Sequence, residues 1–231
     1  MHDPNRAQLE AAVRVLQPLL DELVFAGGCA TGLLITDPAA GSVRATMDVD
    51  VITEVASYAE YASLSERLRG LGLSEDSSEG APTCRWRYRD LLVDVMPTDE
   101  HVLGFSNRWY ASAIAAARRI TIAGLDIRVV TAVYFLATKF EAFRGRGRND
   151  YRGSHDLEDV IAVIDGRPEL LHEVGEAPDD VRTYVATEAR KLLGTRSFVD
   201  ALPGFLFPDS ASQGRAPLLL ERLRTLAQSA R

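Results

Sequence analysis

The chain is poor in the residues that build cross-linked, metal-clustered or membrane-spanning proteins. Its 231 residues include two cysteines, Cys29 and Cys84, and four histidines with no Cys/His ligand spacing. Two thiols cannot form a disulfide framework, and a structural zinc site would lack ligands. Lysine is nearly absent too: Lys139 and Lys191 are the only two, so arginine carries almost all the positive charge. The formal net charge of −7 excludes a generally basic nucleic-acid surface, though not a local patch. No apolar run approaches the roughly 20 residues of a membrane helix. The N-terminal stretch has neither the basic start nor the apolar run of a signal peptide. These absences predict a cytoplasmic protein with reduced thiols and no membrane insertion. What remains, 46% hydrophobic and 26% charged residues, is the make-up of a globular protein of one large or two small domains.

The pattern along the chain has two parts. Asp3-Pro4 is a helix start signal, and Leu9, Val13, Leu16 and Leu20 repeat at helical spacing. Leu23 to Ala26 reads as a strand, Gly27-Gly28 as a turn and Cys29 to Ile35 as a short helix. Ala45 to Val55 alternates like a strand, and Tyr58 to Leu71 fits a helix. Ser74 to Pro82 is turn-rich. Thr83 to Arg89 and Leu91 to Met96 form a predicted hairpin about Asp90, a helix follows around Trp109 to Arg118, and a second hairpin turns at Gly124. From Thr131 the pattern is helical almost throughout. The expectation is an α/β (α+β) fold with a small mixed sheet over residues 1–130 and a helical lobe over 131–231.

Asp48 and Asp50 are two residues apart on a predicted strand, so both carboxylates project from one face while Val49 and Val51 take the other. Aspartate is depleted from strands, so the pair needs a reason; a solvated strand face is the plain alternative. Hard cations such as Mg²⁺ or Mn²⁺ take carboxylate oxygens and keep water or phosphate in their other positions. Asp94, inside the otherwise apolar Leu91 to Met96, is a candidate third ligand, with a salt bridge to Arg85, Arg87 or Arg89 as its alternative. Gly27-Gly28 ahead of a helix would let backbone N–H groups approach a triphosphate, although a glycine pair alone usually means only a turn.

This combination resembles the nucleotidyltransferase superfamily, whose signature is a glycine pair, an acidic Asp-x-Asp strand and a later third carboxylate. Gly27-Gly28-Cys29-Ala30 and the run Arg44-Ala45-Thr46-Met47-Asp48-Val49-Asp50 look most like the AbiEii/AbiGii toxin-type enzymes. Leu136-Ala137-Thr138-Lys139-Phe140-Glu141-Ala142 and Ser154-His155-Asp156-Leu157-Glu158-Asp159-Val160 resemble the family's later lysine helix and acidic helix start. Lys139 lies at the edge of a predicted apolar face of Val133, Leu136, Phe140 and Phe143, where it would either snorkel to the surface or deliver a charge to phosphate. Asp156 follows the plausible N-cap Ser154 and would favour the helix dipole there. The resemblance gives it a part in catalysis or in holding the lysine, a role that Asp159 one turn on could equally fill.

The expected enzyme moves a nucleoside monophosphate from an NTP to an acceptor hydroxyl and releases pyrophosphate, its active site in the cleft between the lobes. Asp48, Asp50 and Asp94 would bind the metal, with Asp94 a base in the alternative. Gly27, Gly28, Arg44, Thr46 and Lys139 would hold the nucleotide. The resemblance implies a tRNA or protein acceptor, a toxin-like role and an antitoxin partner. Adenylylation of an antibiotic, favoured by an acidic acceptor pocket, and a non-catalytic nucleotide-binding or interaction module are the rivals. Arg144, Arg146, Arg148 and Arg152 crowd one loop as a phosphate-holding, partner-binding or merely solvated patch. His155 is a candidate proton acceptor, and Trp86 and Trp109 read as core.

Overall fold

The computed structural model describes residues 3–147 and 149–230. Two compact units divide the chain: Pro4–Ala30 joins Ala45–Thr131, while Thr31–Arg44 joins Asp3 and the chain from Ala132 onward.

In the first unit helix α1 (Arg6–Val15) starts later than the Asp3-Pro4 signal implies. Asn5, 1% exposed, accepts the Thr46 N–H on its carboxamide oxygen at 2.8 Å and makes no side-chain cap on α1. Strand β1 (Leu23–Ala26) is buried along its length and runs into α2 (Gly27–Leu34). Strand β2 (Asp48–Thr53) begins three residues after Ala45. The reason is local: Asn5 takes the Thr46 N–H, and the Thr46 hydroxyl donates to the Asp48 carbonyl at 2.8 Å, so these groups are lost to a ladder. Helix α3 (Tyr58–Gly70) has Ser57 as N-cap. Glu60 reaches back to the Ala56 N–H at 2.8 Å, much as in a capping box.

Strands β3 (Ser74–Glu75), β4 (Arg85–Tyr88) and β5 (Leu91–Pro97) follow. Two short helices, α4 (Glu100–Leu103) and α5 (Tyr110–Ala115), lead to β6 (Arg118–Ile122) and β7 (Leu125–Val129). The strands make a seven-stranded mixed sheet in the order β3-β4-β5-β2-β1-β7-β6. Among the described residues only the β2–β5 and β1–β7 pairings are parallel. Both hairpins turn where φ is positive, at Arg89 (54°) and at Ala123 and Gly124 (52° and 79°), the twist that two-residue hairpin loops require. Val49, Val51, Val93 and Val95 are fully buried. Each contributes about 1.5–3 kcal/mol, which holds β2 and β5 in register.

In the second unit α6 (Ala132–Arg146) packs against α7 (His155–Gly166), α8 (Leu170–Glu176) and α9 (Asp179–Leu193). Helices α10 (Arg196–Ala201), α11 (Ser210–Gln213) and α12 (Ala216–Gln228) complete it, α12 lying on α7, α8 and α9. Every residue from Ala132 to Phe140 is buried, which corrects the expected single apolar face. With neighbours on several sides, α6 is a central helix. The segment Thr31–Arg44 docks through its own backbone: the Thr36 and Asp37 N–H groups both donate to the Gly166 carbonyl at 2.9 Å, and the Arg167 guanidinium donates to the Leu34 carbonyl at 2.7 Å. Among the described residues no helix is long and apolar enough to cross a membrane.

Candidate functional site

Residues paired across a sheet point to the same face. Ala26 pairs with Asp50, Asp50 with Asp94, and Asp94 with Arg85, so one row runs over β1, β2, β5 and β4. Asp48, two residues along β2, shares that face. The strand pattern thus brings Asp48, Asp50 and Asp94 to one side of the sheet, as expected.

Gly27 closes the row. It holds φ at +62°, and a Cβ built on it would lie 1.7 Å from the Asp50 Oδ2. No side chain fits there, so the backbone that opens α2 stands directly over the Asp50 carboxylate. Cys29 donates to the Ala26 carbonyl at 3.3 Å. Burial and the charges of Asp94 and Asp50 push the Cys84 thiol up to about 12, which keeps it protonated and unreactive.

Arg85 is the residue that sequence reasoning placed too loosely, as one of three alternative partners for Asp94. Its Nε donates to the Asp94 Oδ1 at 2.7 Å and its Nη2 to Oδ2 at 2.8 Å; Nη2 also donates to the Asp48 Oδ2. The bonds to Asp94, against the opposing effect of burial, raise the Arg85 pKa above its ordinary value. Arg87 instead pairs with Asp76 at 3.1 Å, and the Arg89 guanidinium lies over the Tyr88 ring. Asp48, Asp50 and Asp94 thus share this face with Arg85, whose guanidinium bonds Asp94 and Asp48.

Among the described residues no group of three or more His, Cys, Asp or Glu side chains is arranged to hold a metal ion; the guanidinium lies on Asp94 and Asp48 instead. Two carboxylates suffice for Mg²⁺ when phosphates or waters supply the rest. By donor chemistry Asp48 and Asp50 fit such an ion, and Asp94 is committed to Arg85. A cavity of about 470 Å³, lined in part by Asp21, Glu22, Thr53, Glu54 and Arg67, is at the Leu23–Thr53 end of the β1–β2 pair, whereas Ala26 and Asp50 mark the other. It is acidic, but it is not a recess at the carboxylate row.

The remaining expected site residues form a cluster in the helical unit. Lys139 is 7% exposed, so it is no snorkelling surface lysine. Its Nζ is 2.6 Å from the Asp159 Oδ2 and 3.3 Å from the Asp156 Oδ1. Arg44 clasps Asp159 with two bonds of 2.9 Å, and Arg146 clasps Asp156 at 2.9 and 2.8 Å. Lys139, Arg44 and Arg146 thus converge on the two carboxylates, with Glu158 also acting on Arg44. Burial works to raise the Asp156 pKa, but the Arg146 bonds and the charges of Lys139 and Arg146 outweigh it and hold it below the usual range. Arg44 is raised, its bonds to Asp159 overcoming burial. Asp156 and Asp159 therefore both serve Lys139. Ser154 caps α7 by accepting the Leu157 N–H at 3.4 Å. Of the loop arginines, Arg144 lies 3.6 Å from Glu188, Arg152 is exposed and Arg148 lies outside the described residues. His155 is exposed beside Glu158. Trp86 and Trp109 are buried, as core residues are.

No protein-family model matches the chain, and no curated protein matches it. Solved structures do. An antigenic nucleotidyltransferase-like protein from Paracoccidioides brasiliensis superposes with a TM-score of 0.52 at 20% identity, over 86% of this chain and 93% of that one. A protein from H. pylori, provisionally assigned as a nucleotidyltransferase, gives 0.50 at 13% identity, over 98% and 94%. At these identities the likeness is one of fold: the mixed sheet and its helices have the architecture of nucleotidyltransferase-like proteins.

Proposed function

We propose that the protein is a nucleotidyltransferase that moves a nucleoside monophosphate from an NTP to an acceptor hydroxyl. The observation that carries this reading is Gly27 standing over Asp50, with Asp48 on the same face: phosphate-approaching backbone and paired carboxylates at one place in a fold of this kind. The first N–H groups of α2 and the positive end of its dipole suit phosphate oxygens. Asp48 and Asp50 would hold Mg²⁺ or Mn²⁺. A bound divalent ion offsets the charge of the phosphates and of the leaving pyrophosphate. The acceptor oxygen bonds to the α-phosphorus, the bond to the β-phosphate oxygen breaks, and the hydroxyl proton leaves to solvent. Lys139 and Arg44, the nucleotide-binding candidates of the helical unit, are both held by Asp159, and their part towards an NTP rests on the sequence resemblance. The Thr46 hydroxyl, bonded to the Asp48 carbonyl, sets the start of the acidic strand.

The finer assignment, an AbiEii/AbiGii toxin-type enzyme acting on tRNA or protein and held by an antitoxin, rests on Gly27 to Ala30 and Arg44 to Asp50. A second reading has its own support. The Arg85 clasp neutralises Asp94 and part of Asp48 as a metal would, and this favours a non-catalytic nucleotide-binding module. Incubation with each labelled NTP, Mg²⁺ and total cellular RNA or protein separates the two. Transfer is expected to one pool and to fall at least about a hundredfold in Asp50→Asn, the scale of losing charge stabilisation at a reacting centre. NTP binding without transfer to any acceptor would establish the module. Label appearing only on an added aminoglycoside would identify small-molecule modification.

A further inference from the structure

We infer that Arg85 is a built-in competitor for the divalent cation: it occupies Asp48 when no metal is bound and yields that carboxylate, while keeping Asp94, when the metal arrives. This rests on the metal-binding reading of Asp48 and Asp50. The structure supplies three arguments. The first is register. Arg85 is the paired neighbour of Asp94, and Asp94 of Asp50, so the guanidinium is fixed beside the acids by the sheet rather than by a mobile loop.

The second is the unequal grip. Asp94 receives two donors, from Nε and Nη2, in the paired geometry that suits carboxylate best. Asp48 receives one, through an Nη2 that Asp94 already shares. Asp48 is also the more open of the two, its side chain 29% exposed against 10% for Asp94. An arriving ion therefore meets the weaker and more accessible contact first. The third is charge. An arginine stays protonated at every relevant pH, so only a competing cation or protonation of the acid can release it. A divalent ion on Asp48 would lie within a few ångströms of the guanidinium and repel it, so the two cannot share Asp48 at full strength. Without metal the clasp screens Asp48 and Asp94 from each other. The protein thus holds its acids together while empty, at the expense of metal affinity.

The test is Mn²⁺ binding to the full-length protein, read by electron paramagnetic resonance of the free ion, with thermal unfolding as a second measurement. Arg85→Gln should bind Mn²⁺ about tenfold more tightly than wild type. It should also unfold at lower temperature without metal and recover more than wild type when Mn²⁺ is added. Arg85→Lys, which keeps the charge but loses the fork, should fall between, and it decides the matter if the glutamine variant does not fold. Equal or weaker binding in the variants, with wild-type binding still lost in Asp50→Asn, would overturn the competitor role and leave the metal reading intact. Binding indifferent to Asp50→Asn, or none in wild type and variants alike, would sink both.

Discussion

Gly27 carries two constraints at once, a left-handed φ of +62° and the Asp50 carboxylate in the space of a side chain. The backbone strain alone costs about 1–2 kcal/mol in any other residue, and the overlap adds to it by displacing Asp50. Gly27→Ala should destabilise the protein by more than about 2 kcal/mol in urea unfolding and weaken Mn²⁺ binding. Gly70→Ala is the control. Gly70 ends α3 with open space where a Cβ would go, so that change should be neutral or stabilise by up to about 1 kcal/mol. If Gly27→Ala proves as mild as Gly70→Ala, the close approach over Asp50 is wrong. At this scale the sequence was informative about which residues share a face and poor about what each touches. The glycine pair and the Asp-x-Asp spacing are local. The Arg85 contact was legible only through its hairpin: a two-residue turn at Arg89-Asp90 pairs Tyr88 with Leu91, and counting back from there sets Arg85 opposite Asp94.

Helices α6 and α7 depend on each other through ions rather than apolar contact alone. Asp159, 1% exposed, lies under Lys139 and Arg44. Removing one partner of a buried pair costs about 3–5 kcal/mol. Asp159→Ala should therefore destabilise by that much, and Lys139→Ala by less, because Arg44 still satisfies Asp159 and Arg146 still satisfies Asp156. Asp156 gives the pair its pH dependence. Its pKa is depressed in the folded state, so its contribution is fully present above the unfolded value of about 3.9. It is lost as pH falls from there through the lower folded value. Asp156→Asn should flatten the acid limb of a urea-midpoint profile below about pH 4; an unchanged acid limb would show that Asp156 is not the group responsible. The elements themselves were largely readable from period and turn residues. Strand β3 was not, because Ser74 and Glu75 are both exposed and carry no apolar alternation. The burial of α6 on several sides was not either, since periodicity reports one face and not how many neighbours a helix will have.

For the whole molecule, composition shifts near residue 130, but nothing in composition marks Thr31–Arg44 as part of the helical unit. That membership comes from particular bonds: the Gly166 carbonyl to Thr36 and Asp37, and Arg215 between Asp37 and Asp165 at 2.7 and 2.9 Å. A fragment of residues 132–231 would leave Asp165, 4% exposed, with only part of its native surroundings and Asp159 without Arg44. Its cooperative thermal transition, followed by far-ultraviolet circular dichroism, should be weak or absent and should sharpen when a peptide of residues 31–44 is added. A fragment that melts as sharply without the peptide would make that segment an accessory. The same interleaving sets an order of events on the ribosome. Thr36 and its partner Glu169 are 133 residues apart, and Asp37 and Arg215 are 178. At about 5–20 residues per second, Thr36 emerges roughly 7 to 27 s before Glu169. Among the described residues all seven strands lie between Leu23 and Val129, so the sheet can pair first, while the early segment waits for helices not yet translated. The strand unit is thus positioned to fold before the helical unit is complete, which makes the wait of residues 31–44 for the later helices the stage at which a nascent chain is most exposed to misassembly.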